Sequence, residues 1–264
     1  VSKILSKKLV LAAALATAGA AAVAQEVTPV DKPPLAKGWK LETVATGAPQ
    51  PWGMAWLPDG RMLVTGKQGT LHVLNGKSFQ EIPLDDLPNL YASGQGGLLD
   101  IAVHPADKTN PRIYMTMSSG TDDENRTVLV QGVFDGKRVT GIKQLFAVNL
   151  GKSGGQHFGS RILFLPDNTL LMSIGDGGNT PQRIGNMLAR DHAQSLASHT
   201  GKILHLTDAG QPVGKGAVAG QANALPEIYS YGHRNVQGLA RDPKSGRIYA
   251  NEHGSRGEIG RAHV

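Results

Sequence analysis

Four times along the chain, a short apolar segment leads into a polar turn and is followed by a second apolar segment. The four copies are Trp52–Thr65, Gly97–Thr116, Ser160–Ser173 and Val236–Ala250. In such turns, proline sets the first dihedral angle, and glycine or asparagine accepts a positive φ, so this turn chemistry connects paired strands. Each copy is therefore predicted to be a β-hairpin.

Further strands are predicted between the hairpins, at Leu71–Leu74, Val128–Phe134 and Lys202–Leu206. No interval carries a sustained 3.6-residue apolar period, so few helices are expected. Hairpins that recur at the period of a blade favour a β-propeller over a β-sandwich, because radial repetition of one unit produces a repeating sequence. The fold class is therefore predicted to be all-β, a β-propeller. The loops at one end of its strands are expected to surround a central channel and to carry the chemistry.

The start of the chain has the pattern of an export signal. Three lysines within the first eight residues precede an apolar run, Leu9–Val23, which ends in the small-residue motif Ala22-Val23-Ala24. A signal peptidase recognises these features, and the run is short for a membrane span, so a retained anchor fits less well. Residues 1–24 are therefore predicted to be a signal peptide. The mature protein is expected to begin at Gln25 in the bacterial periplasm, with no membrane span after cleavage.

The rest of the chain divides into three predicted segments. Residues 25–37 carry three prolines and little apolar periodicity, which is typical of an extended lead-in. Residues 38–257 hold all four hairpins and are predicted to be a partial propeller domain. Residues 258–264 are predicted to be a non-native tail, because Ile259–Val264 matches the translation of a widely used sequencing adapter.

Charge and cysteine content exclude several classes of function. The chain has 27 basic and 21 acidic residues, and three of the lysines lie in the predicted signal peptide. So small a basic excess, without a basic run in the mature part, argues against nucleic-acid binding. The absence of cysteine excludes disulfides, thiolate zinc sites, iron–sulfur clusters and a cysteine nucleophile.

Three polar, glycine-rich segments lie directly at predicted strand ends: Gly151–Gly159, Tyr229–Gly238 and Asn251–Gly257. Packing alone does not require these residue types. His157 lies among glycines before the third hairpin, where its side chain can face an open channel and titrate near neutral pH. It is a candidate general base, and the alternative is an exposed loop histidine.

Further candidates adjoin the hairpins. Arg234 and Asn235 precede the fourth hairpin and offer a planar cation and an amide to an oxygen-rich anion, the alternative being a structural arginine paired with a neighbouring blade. His233 alternates to the opposite face and is predicted to pack. Gln95 is an amide held before the second hairpin. Asp176 lies in a glycine-rich turn and is predicted to stabilise that turn rather than bind metal.

The segment after the fourth hairpin offers ligands for a hard cation. Gly254 gives the backbone freedom to turn carbonyl groups towards an ion such as calcium, and Ser255 follows it. Two carbonyls are far from a full coordination shell. Any metal here would therefore be completed by a bound ligand or water.

Four stretches together resemble the soluble, PQQ-dependent aldose sugar dehydrogenases, the group that includes soluble quinoprotein glucose dehydrogenase. They are Gly154–Ile162, Ile174–Gly178, Pro226–Leu239 and Asn251–Gly257, and the likeness extends over residues 38–257. The Tyr-Gly-His-Arg-Asn and Glu-His-Gly sequences are its most specific parts. The resemblance implies a six-bladed propeller with pyrroloquinoline quinone (PQQ) over the channel mouth, supported by calcium.

The resemblance also implies roles for individual residues. It places His157 at the general base and Arg234 where it would both contact the quinone and stabilise charge on its oxygen. Further quinone contacts fall at Gln95 and Asn235. The calcium ligands fall at the carbonyl groups of Gly254 and Ser255.

The implied reaction is oxidation of the anomeric C1 hydroxyl of an aldose sugar to the lactone by hydride transfer to PQQ, with electrons leaving to a periplasmic acceptor. One alternative is a calcium-dependent lactone hydrolase, which would need carboxylates such as Asp176, Glu227 and Glu252 to converge on one metal. Another is a propeller that only binds a partner or glycan. The chain stops soon after the fourth hairpin, so about four blades are expected here. This fragment is expected to be inactive by itself.

Overall fold

The computed structural model describes residues 38–214, 216, 218, 220–254 and 259–263, the last segment as backbone only. The predicted signal peptide, 1–24, and the predicted lead-in, 25–37, lie outside the described residues. In the described part, no helix is long and apolar enough to cross a membrane. This part consists of β-strands, loops and one short 3₁₀ helix, Ala189–Gln194.

Four antiparallel sheets follow one another along the chain. The first sheet consists of β1 (Pro51–Trp56), β2 (Met62–Gly66), β3 (Thr70–Asn75) and β4 (Ser78–Ile82). The second consists of β5 (Leu98–Val103), β6 (Arg112–Gly120), β7 (Asn125–Phe134) and β8 (Val139–Ala147). The third begins with β9 (Ile162–Phe164) and β10 (Leu170–Ile174), which are followed by a small ribbon of β11 (Arg183–Ile184) and β12 (Met187–Leu188). After the ribbon and the 3₁₀ helix, the third sheet is completed by β13 (Lys202–Leu206) and β14 (Ile228–Tyr231). The fourth consists of β15 (Val236–Arg241), β16 (Ile248–His253) and β17 (Ile259–His263).

The hairpins predicted from the sequence are present. They correspond to the antiparallel pairs β1–β2, β5–β6, β9–β10 and β15–β16. In the first turn, the N–H of Gly60 donates to the carbonyl of Leu57 at 2.9 Å, and Gly60 has a φ of 87°. Asn168 takes the corresponding left-handed conformation in the third turn, with a φ of 66°. The additional strands predicted from the sequence lie within β3, β7 and β13.

The first strands of successive sheets contact one another: β1 contacts β5, β5 contacts β9, and β9 contacts β15. The sheets are therefore arranged side by side about a common axis, with their first strands innermost. This is the arrangement of blades in a β-propeller, so the predicted fold class is confirmed. Each sheet is one blade.

The two faces of a blade pack against different neighbours. On β6, Met115 and Met117 are buried against the first blade, whereas Tyr114 is buried against the third. On β10, Met172 packs towards the second blade and Leu171 towards the fourth. Successive side chains of a strand point to opposite faces, so a strand between two blades is buried on both faces. This burial fixes the blades that carry the loops of the channel mouth.

Arg161, just before β9, joins all four blades at the channel. Its Nη1 donates to Oδ1 of Asp100 on β5 at 2.7 Å, and its Nε donates to the carbonyl of Gln237 on β15 at 2.9 Å. The guanidinium carbon lies 4.7 Å from the centroid of the Trp52 ring on β1. Asp100 is buried and also accepts the N–H of Ile162 at 2.7 Å. These contacts fix the relative positions of the inner strands.

At the end of the chain, the backbone of β17 pairs with β16 as the third strand of the fourth blade. Residues 255–258 and 264 lie outside the described residues. The foreign origin of residues 258–264 stays a prediction.

Candidate active site

The candidate residues lie in loops that meet at one end of the channel. Gln95 precedes β5, His157 precedes β9, and Arg234 and Asn235 precede β15. Because these are the inner strands of successive blades, the loops before them converge. Asp176 joins them because it follows β10, the antiparallel partner of β9.

His157 is held from two sides. Its Nδ1 lies 2.6 Å from Oδ1 of Asp176, and its backbone N–H donates to Oε1 of Gln95 at 2.8 Å. A carboxylate only accepts hydrogen bonds, so Nδ1 carries the hydrogen and Nε2 keeps a lone pair. No hydrogen-bond partner of Nε2 is present among the described residues. His157 also has a φ of 48°, a left-handed conformation that costs energy in a residue with a side chain.

Asp176 is fixed by its own turn. Its Oδ1 accepts the N–H of Gly178 at 2.8 Å, and its own N–H donates to the carbonyl of Arg234 at 2.7 Å. A Cβ at Gly175 would lie 2.0 Å from the carbonyl oxygen of His157, so only glycine allows the two loops to approach this closely. The predicted turn role of Asp176 is present. Its partnership with His157 is an additional role.

Two other histidines near this end of the channel are also paired with buried carboxylates. Nε2 of His199 lies 2.5 Å from Oε1 of Glu227, and Nδ1 of His199 accepts the N–H of Asn149 at 2.9 Å. His233 contacts Oε1 of Glu252 through Nδ1 at 3.4 Å and Oγ of Ser230 through Nε2 at 2.8 Å. Both nitrogens of each ring therefore have a protein partner. His233 is buried, in line with its predicted packing role.

Glu252 positions the turn that presents Arg234. Its Oε2 accepts the N–H of Arg234 at 2.6 Å and the N–H of Asn235 at 3.1 Å. Burial raises the pKa of Glu252, but the hydrogen bonds from His233 and from these two N–H groups outweigh it and hold the pKa below its ordinary value. Among the described residues, the guanidinium of Arg234 makes only long contacts, 3.4 Å to the carbonyl of His253 and 3.5 Å to Oδ1 of Asn179. Its charge is therefore available to an anionic ligand.

The two amide candidates are partly engaged by the protein. Asn235 is 2% exposed, and its Oδ1 accepts the N–H of Gly159 at 3.0 Å and Nε2 of Gln237 at 3.1 Å. Oε1 of Gln95 is bound by the backbone of His157, as described above. Both side chains position the loops around His157, and both also line a cavity.

Two cavities lie near each other, one lined by Arg234 and the other by the next residue, Asn235. The larger has a volume of about 730 Å³, and its lining includes Asp176, Asn179, Arg190, His233 and Arg234. The smaller, of about 240 Å³, is lined by Trp52, Lys67, Gln95, Leu99, Phe158, Gly159, Asn235, Gln237 and His253. His157 connects the two groups of lining residues, because it is bonded to Asp176 of the first and to Gln95 of the second.

The sequence profile of the glucose/sorbosone dehydrogenase family matches residues 48–259. The chain belongs to this family. The match covers the first three blades, β15 and β16 of the fourth blade, and every loop of the candidate site. The family resemblance noted in the sequence is therefore confirmed.

Individual relatives agree with the family assignment. The chain is 45% identical to an uncharacterized protein of Synechocystis over 83% of its own length and 55% of that protein's. It is 34% identical to the aldose sugar dehydrogenase of Escherichia coli over 82% of its length and 57% of that protein's. The PQQ-bound aldose sugar dehydrogenase of Streptomyces coelicolor has a similar structure, with a TM-score of 0.67 and 33% identity over 85% of this chain and 62% of that one. The chain thus spans about half the length of the curated relatives it matches.

The calcium ligands expected in this glucose/sorbosone dehydrogenase family member are only partly described. Gly254 directly follows β16 at the channel mouth, and Ser255 lies outside the described residues. Among the described residues, no three histidine, aspartate or glutamate side chains converge as metal ligands. A calcium site formed by backbone carbonyl groups does not require such a cluster of side chains. Calcium at Gly254 and Ser255 therefore stays a prediction.

Three groups near the site of this family member were not placed there from the sequence: Glu252 behind Arg234, Asp176 as the partner of His157, and the buried lysine Lys152. All three are ionisable residues in or beside the glycine-rich segments. Their signal in the sequence is weak, because each becomes informative only once its partner elsewhere in the chain is known. Among these residues, only Lys152 lies in the same loop as the base candidate.

Proposed function

We propose that the whole protein oxidises the C1 hydroxyl of an aldose sugar to the lactone in the periplasm, with PQQ and calcium as cofactors and a periplasmic protein or small molecule as electron acceptor. His157 and Arg234 are the proposed catalytic residues. Gln95, Arg234 and Asn235 would hold the quinone, and Gly254 and Ser255 would hold the calcium. Family membership and the similarity to a PQQ-bound aldose sugar dehydrogenase support the assignment.

One observation carries the proposal. Of the three buried histidine–carboxylate pairs at this end of the channel, only that of His157 leaves a ring nitrogen without a partner among the described residues. A general base must reach the proton that it removes, with its lone pair directed at the substrate. Nε2 of His157 meets this requirement, and it can accept the proton of the anomeric hydroxyl.

Asp176 supports this proton transfer. When Nε2 accepts a proton, the ring becomes an imidazolium, and the carboxylate 2.6 Å from Nδ1 stabilises that charge. The bond also fixes the tautomer in which Nε2 is free. The hydrogen bond from the backbone of His157 to Gln95 fixes the loop that carries the ring.

The donor set fits an acidic quinone. Arg234 offers a cation whose contacts with the described residues are long, and Gln95 and Asn235 bring amide groups to the neighbouring cavity. When bound, PQQ supplies a two-electron acceptor for the hydride that leaves C1. Arg234 would stabilise negative charge that develops on an oxygen next to it. Calcium prefers carbonyl oxygen, which Gly254 and Ser255 would provide.

The hydrolase alternative needs carboxylates that converge on one metal. In the structure, Asp176, Glu227 and Glu252 each contact a different histidine instead. No group of three potential ligand side chains is present in the described residues. The dehydrogenase is therefore the function that the geometry favours.

The test uses the product of the complete gene, purified without cofactor. It is titrated with PQQ with and without calcium, and an aldose is then added while the quinone absorbance is followed. We expect calcium-dependent binding, bleaching of the quinone by the sugar, and a lactone product identified by NMR. Failure to bind PQQ together with calcium-dependent opening of a lactone would establish the hydrolase. If the protein neither binds PQQ nor opens a lactone, the non-enzymatic propeller is the remaining alternative.

Export is tested separately. N-terminal sequencing of protein from the periplasmic fraction should begin at Gln25, because the predicted cleavage motif ends at Ala24. A purified protein that still carries Lys3 would contradict the export prediction without affecting the proposed chemistry.

A further inference from the structure

Lys152 is a buried cation behind the proposed base, and the proposed reaction leaves it without a role. It is 6% exposed and lies in the loop that leads to His157. Its N–H donates to the carbonyl of Asn125, the first residue of β7, at 2.9 Å, and its carbonyl accepts the N–H of Asn125 at 2.8 Å. The backbone of Lys152 is therefore fixed to the second blade.

The ammonium of Lys152 is held by uncharged groups. Nζ donates to the carbonyl of Gly154 at 2.7 Å and to Oδ1 of Asn125 at 3.2 Å. It also lies 4.0 Å from the centroid of the Phe158 ring, a cation–π contact. Among the described residues, no carboxylate forms a salt bridge with it. The charge is thus held in place without being neutralised by a direct partner.

The side chain of Lys152 runs behind the turn that carries Asp176. A Cβ at Gly177 would lie 2.9 Å from Cδ of Lys152, so the lysine packs directly on the residue after Asp176. Burial lowers the pKa of Lys152 to about 7, while the charges of Asp176 and Asp122 act in the opposite direction. Asp122 itself accepts the hydroxyl of Tyr91 at 2.6 Å.

We propose that Lys152 is a positioning residue of this site, whose ammonium behind Asp176 weakens the hold of the His157–Asp176 pair on a proton. When His157 is protonated, imidazolium and ammonium repel each other across the one carboxylate that attracts both. A protonated Lys152 thus keeps His157 in the neutral form that can act as a base. This catalytic consequence rests on the proposed function, whereas the electrostatic coupling does not.

The other charged groups around Lys152 are engaged elsewhere. Glu124 and Arg126, which pack on the preceding residue, Gly151, pair with each other. Arg183, on the ribbon beside the loop, directs its guanidinium to the carbonyl of Asn186 at 2.7 Å. The charges that face the ammonium are therefore Asp176 and Asp122, with His157 beyond Asp176 and Tyr91 beyond Asp122.

The coupling is measured on the cofactor-free product of the complete gene. The protein carries ¹³C at Cε1 of its histidines, and the His157 resonance is assigned by its loss in His157→Gln and followed against pH. Lys152→Met removes the charge, and Lys152→Arg keeps it at every pH. We expect the pKa of His157 to be highest in Lys152→Met, intermediate in the wild type and lowest in Lys152→Arg. A shift of about half a unit to one unit between Met and Arg is expected for a nearby buried charge.

Lys202→Met is the matched control, because Lys202 is also buried but its ammonium is bonded to the carbonyls of Ala193 and Thr200 at 2.8 and 2.7 Å. It should leave the pKa of His157 unchanged. If the role of Lys152 is purely structural, the pKa of His157 should move in the same direction in Lys152→Met and Lys152→Arg. That result, or an unchanged pKa in both variants, would overturn the proposal. If Lys152→Met does not fold, Lys152→Gln replaces it. If the pKa of His157 follows this order but the protein does not oxidise sugars, the coupling between Lys152 and His157 stands and the proposed function is rejected.

Discussion

The pairs His157–Asp176 and His199–Glu227 look almost alike and lie at the same end of the channel. In both, a buried imidazole contacts a buried carboxylate at 2.5 to 2.6 Å. They differ at the second ring nitrogen. In His199 it accepts the N–H of Asn149, whose Oδ1 in turn accepts the N–H of His199 at 3.2 Å. In His157 it has no partner among the described residues.

This difference distinguishes His199, which has a structural role between two blades, from His157, which can react with a substrate. His199 connects the segment after β8 to Glu227 before β14, so its pair closes the interface between the second and third blades. His157 lies in a strained left-handed conformation, is bonded to one residue of each cavity lining, and has a buried cation behind its carboxylate. A histidine–carboxylate pair therefore indicates catalysis only when one nitrogen is left for a substrate.

The largest expected effect is on turnover. His157→Gln should lower kcat of the PQQ-loaded protein by about 10²- to 10⁴-fold, because it removes the general base. PQQ binding, measured by absorbance, should persist. His199→Gln is the matched control and should leave kcat per folded molecule unchanged. Equal losses in the two variants would remove the distinction between the pairs.

The second effect is on stability and concerns the His199–Glu227 pair. Glu227→Ala should lower the free energy of unfolding by about 2–3 kcal/mol, because it leaves the buried Nε2–H of His199 without an acceptor. Glu81→Ala is the control, since Glu81 lies 3.7 Å from His72 but is exposed. It should cost less than about 1 kcal/mol. Urea titration monitored by fluorescence measures both, and similar losses would contradict the role of Glu227 at the blade interface.

Acid should weaken the same interface. Burial raises the pKa of Glu227, but the hydrogen bond from His199 outweighs it and holds the pKa below the ordinary 4.5. A carboxylate with a lowered pKa stabilises the fold above pH 4.5 and loses that contribution as the pH falls through its native value. The wild type should therefore lose more stability than Glu227→Ala when the pH is taken from about 6 to 3. Equal losses of stability in the two proteins would contradict this prediction.

The third effect is on cofactor affinity. Arg234→Ala should weaken PQQ binding about 10- to 100-fold, since a charge-assisted contact contributes about 1.5–3 kcal/mol. Arg234→Lys keeps the charge but not the planar donor, so its PQQ affinity should lie between those of the wild type and Arg234→Ala. Neither change touches His157, so the rate of proton removal should fall less than in His157→Gln. Unchanged PQQ affinity in calcium buffer would remove Arg234 from the proposed site.

The sequence predicted the hairpins well because turn chemistry and apolar alternation are local properties. It also pointed to His157 and Arg234, which lie in loops where packing does not require such residues. It could not pair them with Asp176 and Glu252, because these contacts join residues 19 and 18 positions apart across different strands or blades. Lys152 was missed for the same reason. Its burial depends on Asn125, Phe158 and the turn at Gly177 together.

The smallest expected effect concerns the lysine that distinguishes the two pairs. Burial lowers the pKa of Lys152 from 10.5 to about 7, so between these values the unfolded chain binds a proton that the native protein does not. The free energy of unfolding must then rise with pH in this interval, by at most about 1.4 kcal/mol per pH unit for one group. Between pH 7 and 9, the wild type should gain about 1–2 kcal/mol more than Lys152→Met. Lys202, whose pKa burial lowers to about 8, is present in both proteins, so its contribution cancels.

Urea titrations of the two proteins at pH 7, 8 and 9 measure this difference directly. Tyr114 does not interfere, because burial raises its pKa to about 12 and it stays protonated in the native protein throughout the interval. The gain should also disappear in Lys152→Gln, which cannot titrate, and should remain in Lys202→Met. Identical slopes for the wild type and Lys152→Met would mean that Lys152 keeps an ordinary pKa in the native protein. The lowered pKa of Lys152 would then no longer count among the differences between the two histidine pairs.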